Sequence, residues 1–304
     1  MWFKNLQLLR LMAWDLTLDA LLAKMEPGRM APVGKMNLGA SGWVPPREGG
    51  ELAEQIGDAY LIALGTESKV LPGNAIKKLV KERARELEEQ QGFKPGRKQL
   101  RELKEQITDE LLPTALVTTS RTQILIDPVN GWVMIDAAGK GSYDTALRFI
   151  IRSLALAIDT LFTKQNPVSQ MTLWLTEDWT PEGFTVDDEF VLKSGMKGTL
   201  TLKNVGEEVA QRHVQAGATV RQMALTFNDK ISFVLNESLV LKRLAPLDVA
   251  KESAKAVQDA DRFTAEGMIM VDTLRGLVSA LVGDVLGVAE RGEGQAQAEL
   301  KEAA

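Results

Sequence analysis

The sequence predicts an α+β protein in which antiparallel β-sheets pack against helices and a projecting antiparallel helical hairpin is added to them. Three observations carry this reading. Gln123–Asp127, the turn Pro128-Val-Asn-Gly131 and Trp132–Asp136 form a strand, Asn-Gly turn, strand pattern, the strongest short-range hairpin signal. Ala218–Phe227, Asn228-Asp229 and Lys230–Leu235 repeat that form, although the similarity between the two units is too slight to establish a duplication. Between them in character stand two charged helical segments. Ala75–Gln91 places Ile76, Leu79, Val80, Ala84 and Leu87 at helical spacing, and Arg97–Leu112 does the same with Leu100, Leu103, Ile107, Leu111 and Leu112. The Gly92-Phe-Lys-Pro-Gly96 turn joins them, so they fold back as a hairpin whose arms are about 25 Å long at ~1.5 Å per residue.

The remaining elements follow in order. Trp2–Leu11 is mostly apolar and reads as a strand buried over much of its length, and Asp15–Met25 as a short helix ended by Pro27-Gly28. Gly39–Arg47 is rich in glycine and proline and reads as turn, whereas Ala59–Leu64 reads as a core strand. Asn74 is the expected N-cap of the first hairpin helix, and Pro113 stops the second. Tyr143–Ile158 is expected to be an amphipathic helix, Leu239–Leu244 a strand, Asp261–Val288 a helical C-terminal segment, and Glu290–Ala304 a polar, frayed tail. Trp2, Trp132 and Trp174 lie in apolar, strand-like runs and are expected in the core; Trp14, Trp43 and Trp179 are left unassigned. The expected division is 1–70 as the start of a central α+β domain, 71–118 as the basic hairpin tip, 119–170 as the rest of the centre, and 171–304 as a C-terminal α+β base.

Composition excludes several function classes. With 304 residues, 45% hydrophobic and 25% charged, the chain can bury a full core and is neither disordered nor fibrous. Its net charge of −5 argues against a uniformly basic nucleic-acid binder, so any basic surface must be local. The absence of cysteine removes disulfides, thiolate zinc sites and a cysteine nucleophile. Gly267–Val288 is interrupted by Asp272, Arg275 and Asp284 and is not a membrane span, and the N-terminus has no secretory pattern. A cytoplasmic location without membrane contact is expected.

Catalytic signatures are sparse. Neither G-x-x-x-x-G-K-[ST] nor a strand-linked G-x-G-x-x-G occurs, so no nucleotide cofactor is expected. His213 is the one histidine, and a surface or capping role suits it better than a catalytic triad or a metal site. Asp127, Asp136 and Asp144 lie near element ends where a two-metal nuclease site could form, but Asp-Pro-Val-Asn-Gly is turn chemistry first. The expectation is therefore no catalytic residue, no metal and no cofactor. The hairpin is more informative. From Lys69 to Lys104 there are eleven cations against five anions. Lys77, Lys81 and Arg85 recur every four residues, and Arg97, Arg101 and Lys104 form a second row, each a stripe able to follow a line of phosphates. Glu82, Glu86, Glu88 and Glu89 offer partners, so spacing alone leaves a solvated charged face equally open.

Met1-Trp-Phe-Lys-Asn-Leu6, Gly42-Trp-Val-Pro-Pro46, Lys69-Val-Leu-Pro72, Leu111-Leu-Pro113, Asp127-x-Val-Asn-Gly131 and Lys242-Arg-Leu244 together resemble the RdgC family of recombination-associated proteins, in the family's order and over nearly the whole chain. The resemblance implies a non-enzymatic protein that binds double- and single-stranded DNA with little sequence preference. It implies a ring-shaped homodimer with a basic opening that encircles DNA, is associated with the nucleoid, and restrains RecA-driven strand exchange. It places the hairpin in a tip domain where two subunits meet. The family's basic positions are matched by Lys77, Lys81, Lys94 and Arg97, while Phe93 stands where a basic residue is common. Leu116 occupies the gate position often held by phenylalanine, and Lys203-Asn204 matches a basic and amide pair near the other interface. The stretch before Asp127 and the region 245–260 depart from the family pattern.

The expected phosphate contacts are thus Lys77, Lys78, Lys81, Arg85, Lys94, Arg97, Lys98, Arg101 and Lys203, with Leu116 at the dimer gate. Phosphate contacts position a protein without reading sequence. Two alternatives are a metal-dependent exonuclease using Asp127 and Asp136, and a scaffold whose hairpin is a protein-binding arm.

Overall fold

The computed structural model describes residues 2–177, 179–195, 198–248 and 262–290. Its architecture turns on β1 (Asn5–Leu11), which pairs along one edge with β6 (Trp132–Ile135). Its other edge is shared: Asn5 and Leu6 meet β12 (Leu241–Pro246), and Leu9–Leu11 meet β7 (Ile158–Thr160). Outward from β6 come β5 (Val117–Asp127), β4 (Ala59–Lys69) and β2 (Gly39–Val44), with β3 (Ala53–Ile56) also on β4. Outward from β12 come β11 (Ile231–Asn236), β10 (Ala218–Phe227), β8 (Phe184–Ser194) and β9 (Gly198–Lys203). The pairings between these twelve strands are antiparallel, and the fold class is α+β as expected. The two β-hairpins, β5–β6 and β10–β11, lie at equivalent places either side of the β1–β12 seam.

Alternation along the strands divides two cores. Leu6 and Leu8 of β1, Leu125 of β5 and Met134 of β6 face the larger one. Leu9, Leu11, Ile124, Ile126, Val133 and Ile135 face the other. The second face is covered by α1 (Leu18–Met25) and by α4 (Lys140–Phe149) with the π-helical turn Ile150–Leu154 that continues it. The first is covered by α5 (Pro167–Glu177), α6 (Glu207–Gln215) and α7 (Arg262–Val278), the last prolonged by a π-helical segment, Ser279–Leu286. Coverage on both faces explains why Trp132–Ile135 is apolar at every position. The hairpin turns have the expected chemistry: Gly131, Asn228 and Asp229 take positive φ of 69°, 48° and 52°.

Several expectations are corrected. Gly39–Arg47 is not simply turn, because its first six residues form β2. Its glycines permit close approach: a Cβ on Gly42 would lie 2.4 Å from Met30 Cα and 2.6 Å from Met30 N, and Met30 N donates to Trp43 O at 2.9 Å. Gly42→Ala is therefore expected to destabilise the fold by about 1–3 kcal/mol through overpacking, measured as a lower denaturation midpoint with unchanged slope. The helix expected over Tyr143–Ile158 starts three residues earlier and ends sooner, since Ala155 takes φ 52° and Ile158–Thr160 are captured by the edge of β1 that β12 leaves open. Asn74 is not the N-cap. Pro72 is, its carbonyl accepting from Ala75 N and Ile76 N. Trp174 is buried as expected but on α5, not in a strand. Trp43 is fully buried, and Trp14 lies against Tyr60. The expected tail lies, beyond Glu290, outside the described residues.

Candidate nucleic-acid interface

β4 and β5 continue past the cores as a polar ribbon flanked on β4 by β2, and α2 (Gly73–Gln91) and α3 (Arg97–Leu111) emerge from its end. Gly92 ends α2 in the left-handed conformation, φ 79°, a position that favours glycine. The Gln99 side chain caps α3 by accepting from Gly96 N at 3.0 Å. The helices run antiparallel: Gln99 Nε2 donates to Gln91 Oε1 at 3.0 Å near the turn, and Arg83 Nη1 donates to Glu110 Oε1 at 2.9 Å nearer the base. The Arg83 contact holds the Glu110 carboxyl below the usual carboxylate range. Ile76 and Ile107 are the buried apolar anchors at the base. Lys69, grouped with the hairpin cations by sequence, has a different task. Its Nζ donates to Leu112 O at 2.8 Å and also to Lys35 O, fastening the hairpin's root.

The charge of this unit is segregated more than it is large. Over 73–111 there are ten cations and eight anions, since Glu105, Asp109 and Glu110 fall beyond the Lys69–Lys104 window. At about 100° per residue, Lys77, Lys81 and Arg85 turn away from the Ile76–Val80–Leu87 packing line on one flank of α2, and Arg97, Arg101 and Lys104 do so from Ile107 on α3. The rotational sense is the same in both helices. In an antiparallel pair this brings both cation rows to one side of the hairpin, with Glu88 among them, while Glu82, Glu86 and Glu102 fall on the other. All eight hairpin candidates, Lys77, Lys78, Lys81, Arg85, Lys94, Arg97, Lys98 and Arg101, are exposed. Lys78, Lys98 and Arg101 have carboxylates of their own helix at 3.9, 4.0 and 3.0 Å. Lys77, Lys81, Arg85, Lys94 and Arg97 form no ion pair among the described residues.

Lys203 stands apart, on the strand at the opposite end of the sheet from β2. Its Nζ lies 3.5 Å from Glu189 Oε1, and the same carboxyl holds Arg243 at 2.8 Å. Burial pushes the Glu189 carboxyl up, but hydrogen bonds and attraction from Arg243 and Lys203 bring it below its ordinary value. Leu116 is 79% exposed. It adjoins three further exposed apolar residues: Val70 N donates to Leu116 O, Lys69 N donates to Leu38 O, and Val117 follows in the same strand. At the hairpin's root Val70 and Leu116 are therefore paired on one face of the strands, with Leu38 and Val117 at the adjacent register position on the other.

Two of the three carboxylates considered for nuclease chemistry, Asp127 and Asp136, are engaged elsewhere. Asp127 is fully buried. It accepts from Asn130 N and Nδ2 across its turn, and from Arg275 Nε and Nη2 at 2.8 and 2.7 Å. Arg275 also donates to Asp58 at 2.6 Å, so one guanidinium ties α7 to the β3–β4 turn and to β5. Burial pushes the Asp127 carboxyl up, but the Arg275 and Asn130 hydrogen bonds outweigh it and hold the group below the usual range. Asp136 accepts from Lys4 N and from Asn5 N and Nδ2. It sits opposite Gln123, about 13 Å along the ribbon from Asp127 at ~3.3 Å per residue. Among the described residues no three His, Cys, Asp or Glu side chains gather in a metal-binding group, and no helix is long and apolar enough to cross a membrane. His213 is exposed in the last turn of α6.

The sequence profile described as "Putative exonuclease, RdgC" matches residues 1–288. The chain belongs to the RdgC family. It is 44% identical over 290 residues to the recombination-associated protein RdgC of Herminiimonas arsenicoxydans, covering 93% of this chain and 97% of that one. It is 42% identical over 299 residues to the RdgC of Janthinobacterium sp. (strain Marseille), covering 96% and 100%, and 44% identical over 289 residues to that of Cupriavidus pinatubonensis, covering 92% and 97%. Membership in RdgC supports a role in DNA recombination, and the hairpin is the part of the molecule whose charge pattern fits a polyanion.

Proposed function

We propose that this RdgC binds double- and single-stranded DNA without sequence preference, as a ring-shaped homodimer whose cationic hairpin flanks line the opening. By occupying DNA it restrains RecA-driven strand exchange, without itself being an enzyme, and it acts in the cytoplasm at the nucleoid. The observation that carries this reading is the side-by-side alignment of Lys77, Lys81, Arg85 and Arg97, with Lys94 at the turn, exposed and without ion-paired carboxylates among the described residues. Like charges four residues apart repel by about 0.2–0.5 kcal/mol per pair, and a polyanion lying along the row relieves that repulsion. Exposed Leu116, with Val70 paired beside it, is the surface where the second subunit closes the ring. Leucine at 116 supplies an apolar contact with less area than an aromatic side chain. Lys203, which shares the Glu189 carboxylate with Arg243, is a weaker phosphate contact than the hairpin cations.

Two measurements test this. A dimer making about eight phosphate contacts has a slope of log affinity against log salt near −7 on duplex DNA, and random-sequence competitor competes fully. Encirclement further predicts slower release from closed circular DNA than from a short linear duplex of equal sequence, from which a ring slides off. A slope shallower than about −2, or equal release from both forms, contradicts the proposal. The exonuclease reading requires end-labelled DNA to shorten with magnesium or manganese; with Asp127 and Asp136 committed to Arg275 and the β1 backbone, no shortening is expected.

A further inference from the structure

We propose that a pocket between α1, β2 and α4 binds a nucleoside monophosphate, either free or as the phosphorylated end of a DNA strand. The pocket measures about 630 Å³, and none of its lining residues lies on α2 or α3. That is within the range of small-molecule sites, ~300–1,000 Å³. Three cations converge on it: Lys24 from α1, Arg148 from α4 and Arg152 from the π-helical turn. No carboxylate lines it, and none of the three cations forms an ion pair among the described residues. Among the described residues their hydrogen-bond partners are neutral: Lys24 Nζ donates to Leu154 O at 2.9 Å, and Arg148 Nη2 to Thr145 Oγ1 at 3.1 Å. Three like charges gathered in a protein of net charge −5, with no acid between them, form a focus for a small anion.

The charge count favours a phosphate monoester. A terminal phosphate carries about −1.5 to −2 at neutral pH, more than a backbone diester, and guanidinium forks match its oxygens in bidentate fashion. The wall beside the cations suits a base. Phe149 lines the pocket, its ring held edge-on to buried Trp43 at 5.6 Å and 84°. Trp43 Nε1 donates to Ser153 Oγ, which in turn donates to Phe149 O, so this wall is fixed by hydrogen bonds before any ligand arrives. The π-helical turn that carries Arg152 and Ser153 is a departure from α-geometry that recurs at functional sites.

The test uses the full chain and deoxyadenosine monophosphate as probe, followed by calorimetry at about 0.5 M salt to suppress contacts with hairpin lysines and arginines. Saturable binding is expected. The pair Arg148→Gln and Arg152→Gln should weaken it at least ten-fold without moving the melting temperature, because both side chains are exposed. The pair Arg148→Lys and Arg152→Lys should weaken it less than the glutamine pair, because the charge stays and only the bidentate match is lost. Substituting Lys77, Lys81, Lys94 and Arg97 should leave it unchanged, which separates this pocket from the DNA surface of the hairpin. Displacement by a 5′-phosphorylated oligonucleotide but not by its 5′-hydroxyl twin supports a strand end as the occupant; displacement by neither supports a free nucleotide. Absence of binding, binding unaffected by the double glutamine variant, or equal displacement by both oligonucleotides overturns the proposal.

Discussion

Replacing Lys77, Lys81, Lys94 and Arg97 together by glutamine is expected to lower duplex affinity by more than about three orders of magnitude near 0.05 M salt and to reduce the salt dependence to the part carried by Arg85 and the carboxylate-paired cations. The size follows from counterion release. Each neutralised phosphate contributes about 0.9 to the slope, and two subunits lose about eight contacts between them. The loss should be the same for any sequence, because none of these side chains is proposed to read a base edge. The fold should be untouched: all four residues are exposed, and none forms an ion pair among the described residues. Glutamine keeps helix propensity and length, so the hairpin's packing on Ile76 and Ile107 persists. The control replaces Lys78, Lys98 and Arg101, whose charges are partly met by Glu82, Glu102 and Glu105. These should matter less per residue. Equal effects from the two sets, measured by fluorescence anisotropy across a salt series, would mean that segregation of charge on the hairpin is not what holds DNA.

Arg275→Met is expected to cost about 3–5 kcal/mol of stability at pH 7. The loss comes from the carboxylate left behind. Asp127 is fully buried, and without Arg275 its charge has only Asn130 as partner. The pH dependence separates this from lost packing. In the native protein the folded Asp127 group sits below its ordinary value, so its contribution is complete above about pH 4 and is lost as pH falls further. In Arg275→Met the sign reverses. Burial then pushes the group above its ordinary value, and the deficit shrinks as the pH is lowered from 7 towards 5. Adding Asp127→Asn to Arg275→Met removes the unpaired charge and should restore part of the stability at pH 7. Chemical denaturation of the single and double variants at several pH values checks the claim, and a deficit that is constant between pH 7 and 5 would contradict it.

Much of the central sheet was legible before any coordinates, because its signals are local. Asn228 and Asp229 supply the positive φ that their turn needs, and the Pro128–Gly131 turn is closed by Asp127 accepting from Asn130. Both are properties of a few adjacent residues. The charged helices were equally readable, since their apolar spacing survives even though only Ile76 and Ile107 are buried apolar anchors within them. Elements set by distant partners were not. β2 hides behind a glycine-rich composition because Met30 crosses it closely, and β7 exists because β12 leaves part of β1 unpaired. β3, α5, β8, β9 and α6 carried no signal strong enough to be named in advance.

For the candidate site, the residue types and their four-residue rhythm were determined by the sequence alone: Lys77, Lys81 and Arg85 share a helix face whatever surrounds them. What only the tertiary structure decided is which cations stay available. An ion pair depends on atoms within about 4 Å, and those come from the partner helix, a neighbouring strand or a crossing segment as often as from the same turn. Lys69 was therefore diverted to the backbone of Leu112, Lys203 to Glu189, and Asp127 to Arg275, 148 residues along the chain. The pocket formed by Lys24, Arg148 and Arg152 has the same origin, for the α1 and α4 segments that build it are more than a hundred residues apart and meet only because one sheet face covers both.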